Sequence, residues 1–149
     1  MLYPIIMAGG VGRRLWPIST GKTPKQVLPF LDGETMLAKT MRRLGHRWKP
    51  ADMFVATSRE VASAVRRAMP QIPASHFSVE PERRETAPAL ALAVLRLYHH
   101  DPKAAFVYIN ADNFIKNEAE FHRVLKLGEK IITHHPRRLV IIGVRPTYA

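Results

Sequence analysis

The sequence predicts an α/β fold, a Rossmann-like open and mainly parallel sheet of about five strands flanked by helices. Three observations predict it. Short apolar runs of strand length alternate with longer segments of helical periodicity. Those short runs are continuously apolar, as in strands covered on both faces. A glycine cluster follows the first of them, where a strand must turn sharply into the next element.

Leu2–Met7 is the first strand. Val27–Phe30 reads as a short extended piece before a turn at Asp32-Gly33. Thr35 is placed to cap a helix over Met36–Leu44, with Met36, Leu37, Thr40, Met41 and Leu44 on one face and Gly45 at its end. Met53–Ala56 is the second strand, and Ser58 is placed to cap a helix over Arg59–Met69 that Pro70 terminates. Phe77–Val79 is the third strand; Thr86 caps Ala87–Tyr98, where Pro88 is tolerated in the first turn. Ala104–Ile109 is the fourth, Asn117 caps a helix from Glu118 to about Thr133, and Leu139–Val144 is the fifth. No repeat, low-complexity segment or Gly/Ser linker interrupts this order, so 1–149 reads as a single domain.

Composition narrows the class. The chain of 149 residues is long enough to bury a core. It has no cysteine, which excludes disulfides and thiolate metal sites. The apolar run at Met1–Met7 is too short for a signal peptide or a membrane span, so a cytoplasmic protein with no membrane partner is expected. Lys and Arg number 23 against 12 Asp and Glu, a net charge of +11 that attracts anions. Pairs such as Arg42-Arg43 and Arg66-Arg67 read as solvated helix faces. Without a helix-turn-helix, zinc finger or RNP motif, nucleic acid is not an expected partner. The seven histidines lack metal-ligand spacing, and His99-His100 and His134-His135 read as cations near helix ends. Trp16 and Trp48 read as packing residues.

The segment Ile5–Gln26, IIMAGGVGRRLWPISTGKTPKQ, is the strongest functional signal. Gly9, Gly10 and Gly12 free backbone N–H groups, and Arg13, Arg14 and Lys25 bring positive charge to the same place. Such a loop suits a polyphosphate, the alternative being a plain glycine turn. A Walker loop is excluded because Trp16 stands where its first glycine is needed ahead of Gly21-Lys22-Thr23. A dinucleotide fingerprint fails at Leu15, the place of its third glycine. Two further blocks, Glu80-Pro81 and Asn110–Asn113, also follow strand ends, and open α/β sheets bind ligands at that carboxyl edge. Asp112 is the candidate Mg²⁺ ligand, since Mg²⁺ needs only one or two carboxylates plus phosphate oxygens; an Asx turn of Asn110, Asp112 and Asn113 is the alternative.

AGGVGRRLWP followed by PKQ resembles the signature of sugar nucleotidyltransferases, and its Leu-Trp-Pro ending resembles the mannose-1-phosphate guanylyltransferases among them. EPERRETAPA at 80–89, Ala111-Asp112-Asn113 and Gly143–Thr147 resemble further blocks of that family, in family order. The resemblance implies transfer of a nucleotidyl group from GTP to mannose 1-phosphate, giving GDP-mannose and pyrophosphate with Mg²⁺. It implies a triphosphate contact for Arg14, a place near the phosphates of nucleotide or sugar phosphate for Lys25, a cradle of Ala8, Gly9, Gly10 and Gly12, and base or ribose contacts from Glu80, Arg84, Glu85 and Thr86; Arg13, where the family often has threonine, either adds a contact to the cradle or faces solvent. Two departures weaken single roles. Glu85 stands where the family has asparagine, and its carboxylate accepts hydrogen bonds without donating any. Asn113 stands where the family has histidine. Family residues that grip the sugar lie beyond Ala149, so the domain is expected to be incomplete at its C-terminal end and inactive alone. The alternative is a non-catalytic nucleotide-binding or regulatory module of the same fold. Oligomers are compatible with either.

Overall fold

The computed structural model describes residues 1–10, 12, 16–19, 23–31 and 33–144. The chain forms two compact units, Met1–Phe114 and Ile115–Ala149.

The first unit is built on β1 (Leu2–Met7), β4 (Phe54–Ser58), β5 (Phe77–Glu80) and β6 (Ala105–Asn110). A two-strand ribbon of β2 (Pro29–Leu31) and β3 (Glu34–Thr35) lies between β1 and β4 in the chain. The helices are α1 (Met36–Gly45), α2 (Ala62–Ala68) and α3 (Thr86–His100). The main sheet has the order β5-β4-β1-β6 and every pairing in it is parallel. Chain order thus runs outward from β1 through β4 to β5, then reverses across β1 to β6. That reversal is a topological switch point, the place where open α/β sheets bind ligands beyond the carboxyl ends of their strands.

Burial explains the strand sequences. Leu2 to Ile6 are all buried, as are all five residues of β4, so neither strand can carry a polar alternation. Tyr3, Ile5, Phe54 and Ala56 share one face and pack against Ala93 and Leu97 of α3. The Phe54 ring stacks on His76 at 4.1 Å between centroids, and His100 meets Tyr3, Phe54 and His76 edge-on. His100 is exposed as the last residue of α3, the helix-end place the sequence predicts for it, and its ring also edges this aromatic cluster. Trp48 is a packing residue, 3% exposed, and its Nε1–H donates to the Leu2 carbonyl at 2.7 Å. Trp16, by contrast, is 76% exposed, which corrects the expectation that it packs.

Several helix starts follow the sequence. Thr35 accepts a hydrogen bond from the Ala38 amide at 3.1 Å, capping α1. In the second unit, Asn117 accepts from the Glu120 amide at 3.0 Å and starts α4 (Glu118–His134). Two other caps are corrected. Ser58 ends β4, and α2 begins four residues later behind Val61, without a side-chain cap. Thr86 is the first residue of α3, and Glu85 occupies the cap position without a side-chain hydrogen bond.

The expected fifth strand at Leu139–Val144 is also corrected. The sheet has four strands, and 139–144 joins no ladder among the described residues. A strand exists only through its hydrogen-bonded neighbour, and an apolar, β-branched run alone does not supply one. Leu139, Ile141, Ile142 and Val144 are exposed, while Val140 lies against Gly128 of α4. Among the described residues, no helix is long and apolar enough to cross a membrane.

Candidate functional site

The loop that leaves β1 is held by its carbonyl groups. Thr57 Oγ1 donates to the Ala8 carbonyl at 3.0 Å, Ser58 Oγ to that of Gly9 at 3.1 Å, and Gln26 Nε2 to that of Gly10 at 2.8 Å. Three successive acceptors are thereby turned into the protein. The Ala8 amide continues the sheet pairing to the Ala56 carbonyl at 2.8 Å. The amides of Gly9, Gly10 and Gly12, in contrast, are engaged by no described residue. Carbonyls bonded into the protein give the loop the polarity that an anion cradle requires.

Glycine is needed here for space. Gly12 has φ +70, and a Cβ there would fall 2.5 Å from Ser19 Oγ and 2.9 Å from Lys25 Cβ. At Gly10 a Cβ would stand 3.7 Å from Lys25 Cε. The lysine stem therefore runs directly over the glycine turn. Its backbone is fixed by a 3₁₀ turn over Lys25–Val27, in which the Val27 amide reaches the Pro24 carbonyl at 3.0 Å.

The Lys25 ammonium donates to Asp112 Oδ2. The two residues are 87 positions apart, and the β1–β6 pairing brings them together: Met7 is opposite Asn110, and the Ala111 amide reaches the Met7 carbonyl at 3.1 Å. The Ala111 carbonyl accepts from Thr40 Oγ1 of α1 at 3.3 Å, which steadies the turn carrying Asp112. Close by, Tyr108 donates to Asn110 Oδ1 at 2.5 Å. Burial raises the Tyr108 phenol above its usual range, and the negative charge of Asp112 raises it further.

The third block lies at the end of β5. Glu80 is the last strand residue and is buried. Arg84 is exposed and pairs with Glu82 at 2.9 Å. Glu85 has φ 68 and ψ −170. A side chain in that region costs of order 1–3 kcal/mol, so the turn into α3 is strained at the residue that departs from the family pattern. Thr86 is exposed at the helix start.

Of the residues expected at the site, Ala8, Gly9, Gly10, Gly12, Lys25 and Asp112 come together at the switch point, beyond the carboxyl ends of β1 and β6. Glu80, Arg84, Glu85 and Thr86 lie at the carboxyl end of β5, two strands from β1. Arg13 and Arg14 lie outside the described residues, as does the end of the Gly143–Thr147 block. Sequence reasoning missed Thr57, Ser58 and Gln26 as supports of the loop. Gln26 had a signal, its place in the PKQ motif beside Lys25, whereas Thr57 and Ser58 had none, because their role depends on which strand neighbours β1.

Asp112 suits Mg²⁺. Its donor is a hard oxygen, and it already holds a cation in the form of the Lys25 ammonium. Among the described residues no group of three or more His, Asp or Glu side chains could enclose a metal by itself. A single carboxylate is compatible with an ion that draws its other ligands from phosphate and water.

Residues 3–146 match the pattern of the family described as nucleotidyl transferase. The chain belongs to that family. Among nucleotidyl transferases, it is 34% identical over 148 residues to a mannose-1-phosphate guanylyltransferase of Escherichia coli, covering 98% of this chain and 31% of that protein. A mannose-1-phosphate guanylyltransferase of Klebsiella pneumoniae gives the same identity and coverage. The chain thus spans about a third of the length of these relatives. A crystal structure described as mannose-1-phosphate geranyltransferase from Thermus thermophilus superposes with a TM-score of 0.77 at 29% identity, over 87% of this chain and 38% of that one. These nucleotidyl transferase relatives bear out the α/β class and the sugar-nucleotide resemblance read from the glycine segment.

Proposed function

We propose that this chain is the nucleotide-binding part of a mannose-1-phosphate guanylyltransferase that takes GTP and mannose 1-phosphate. The observation that carries the reading is the meeting of Lys25 and Asp112 over the glycine turn. A cation and a metal-type carboxylate beside the amides of a glycine turn are the groups that a metal-bound triphosphate needs.

In the reaction, an oxygen of the sugar phosphate attacks the α-phosphorus of GTP. The new P–O bond forms as the bond from the α-phosphorus to the bridging oxygen breaks, and pyrophosphate leaves with that oxygen. No covalent intermediate with the protein is required, so the residues act by holding two anions together and offsetting charge. The Gly9, Gly10 and Gly12 amides donate to phosphate oxygens. Arg14 and Lys25 supply fixed positive charge, with the planar Arg14 fork matched to the leaving pyrophosphate. Mg²⁺ held by Asp112 would neutralise charge on the phosphates. Glu85, held in its strained turn, offers two acceptor oxygens to the N1–H and 2-amino protons of guanine. The chain by itself is proposed to bind nucleotide without turnover.

Calorimetric titration with GTP, ATP and UTP, each with and without Mg²⁺, tests the reading. GTP is expected to bind most tightly, and only well with Mg²⁺. Failure of all three at millimolar concentration would remove the proposal. Formation of GDP-mannose when mannose 1-phosphate is added would overturn the expectation that the chain alone is inactive.

A further inference from the structure

Asp112 is claimed by two cations. Its Oδ2 takes the Lys25 ammonium in the structure, and under the function proposed above, on which this inference rests, the same carboxylate anchors Mg²⁺. The single negative charge of Asp112 cannot offset an ammonium and a divalent ion together, and the two cations repel each other when held side by side, so they compete for it. We propose that Lys25 is an exchangeable counter-ion. It holds Asp112 in the nucleotide-free protein, is displaced when a divalent cation arrives with a triphosphate, and passes to the phosphate oxygens.

The geometry supports exchange over simple competition. The base of the lysine is fixed by the 3₁₀ turn over Lys25–Val27 and by the Gln26 bond to the Gly10 carbonyl. Its stem lies over Gly12 and Gly10, so the ammonium swings on a tether beside the cradle amides. The side chains of Lys25 and Asp112 are 22% and 35% exposed, which leaves the pair open to incoming ions. A metal ion alone must evict the ammonium with no new partner for it. A metal ion that brings a triphosphate supplies one. Metal and nucleotide therefore strengthen each other's binding, and Lys25 is the element that couples them.

Mn²⁺ is a suitable probe, since it takes the same oxygen ligands and its free concentration is read by electron paramagnetic resonance. Without nucleotide, wild type is expected to bind Mn²⁺ weakly. Lys25→Met should bind it more tightly by roughly three- to tenfold, the range expected when a partly exposed ion pair stops competing. Lys25→Arg keeps the charge and should remain as weak as wild type. Lys25→Met combined with Asp112→Asn should lose the gain. Addition of a non-hydrolysable GTP analogue should tighten Mn²⁺ binding more in wild type than in Lys25→Met. If Lys25→Met binds Mn²⁺ no better than wild type although Asp112→Asn weakens it, the exchange is wrong and the metal role of Asp112 stands. If Asp112→Asn leaves Mn²⁺ binding unchanged in the Lys25→Met background, the metal role fails and the exchange with it.

Discussion

Replacing Gly12 by alanine is expected to be the most damaging single methyl addition in the nucleotide loop. Two penalties combine. At φ +70 an L side chain costs about 1–2 kcal/mol. The new Cβ would also stand 2.5 Å from Ser19 Oγ and 2.9 Å from Lys25 Cβ, and inserting a carbon into so closed a space costs about 1–3 kcal/mol. The sum, roughly 2–5 kcal/mol, is a large part of the stability of a small domain. Two controls separate the terms. Gly33 has φ +73 with nothing within 4 Å of a Cβ, so Gly33→Ala should show the backbone cost alone. Gly45 ends α1 with open space around it, and Gly45→Ala should be neutral or stabilising by up to about 1 kcal/mol. Urea unfolding followed by circular dichroism should rank the midpoints Gly45→Ala, wild type, Gly33→Ala, Gly12→Ala from high to low. Nucleotide affinity should fall with Gly12→Ala, because the atoms displaced include those of the Lys25 stem as well as Ser19 Oγ. Equal midpoints for Gly12→Ala and Gly33→Ala would refute the close approach of Lys25 and Ser19 to the turn.

Two further predictions concern the sheet and its packing. Thr57 is fully buried and donates to the Ala8 carbonyl, so Thr57→Val keeps the shape, strands that carbonyl and should cost about 1–3 kcal/mol; a change in thermal unfolding below a few tenths would contradict the hydrogen bond. Burial lowers the His76 pKa below the usual imidazole value and the neighbouring charges of His100 and Arg96 lower it further, while its Nδ1–H bond to the Met53 carbonyl and the charge of Asp52 act the other way. Folding therefore disfavours the protonated ring, and the stability present above about pH 6.5 is lost as pH falls from there toward the folded-state value, by at most about 1.4 kcal/mol per pH unit for one proton. His76→Phe should flatten the stability profile between pH 7 and pH 5, and an unchanged slope would show that other groups set it.

The parts of the fold governed by local chemistry were legible in the chain. Thr35 and Asn117 cap helices because each is a short polar residue just ahead of a helical period, and both bonds are present. The glycine segment and Asp112 could be placed at strand ends from apolar runs alone. What depended on strand order was not legible. Ser58 has the composition of a cap, but β4 runs beside the loop leaving β1 and claims its hydroxyl for Gly9. Leu139–Val144 carries strand composition without a paired neighbour. Lys25 and Asp112 were each selected separately, but no local signal says that one neutralises the other. That fact follows from β6 crossing back to pair with β1.

The central claim is that this carboxylate and this loop together hold a metal-bound triphosphate. The GTP affinity of wild type and Asp112→Asn, measured by calorimetry with and without Mg²⁺, tests it most directly. Mg²⁺ is expected to tighten GTP binding to wild type at least tenfold, which corresponds to about 1.4 kcal/mol, and to have little effect on Asp112→Asn. Equal Mg²⁺ enhancement in the two proteins would contradict the account.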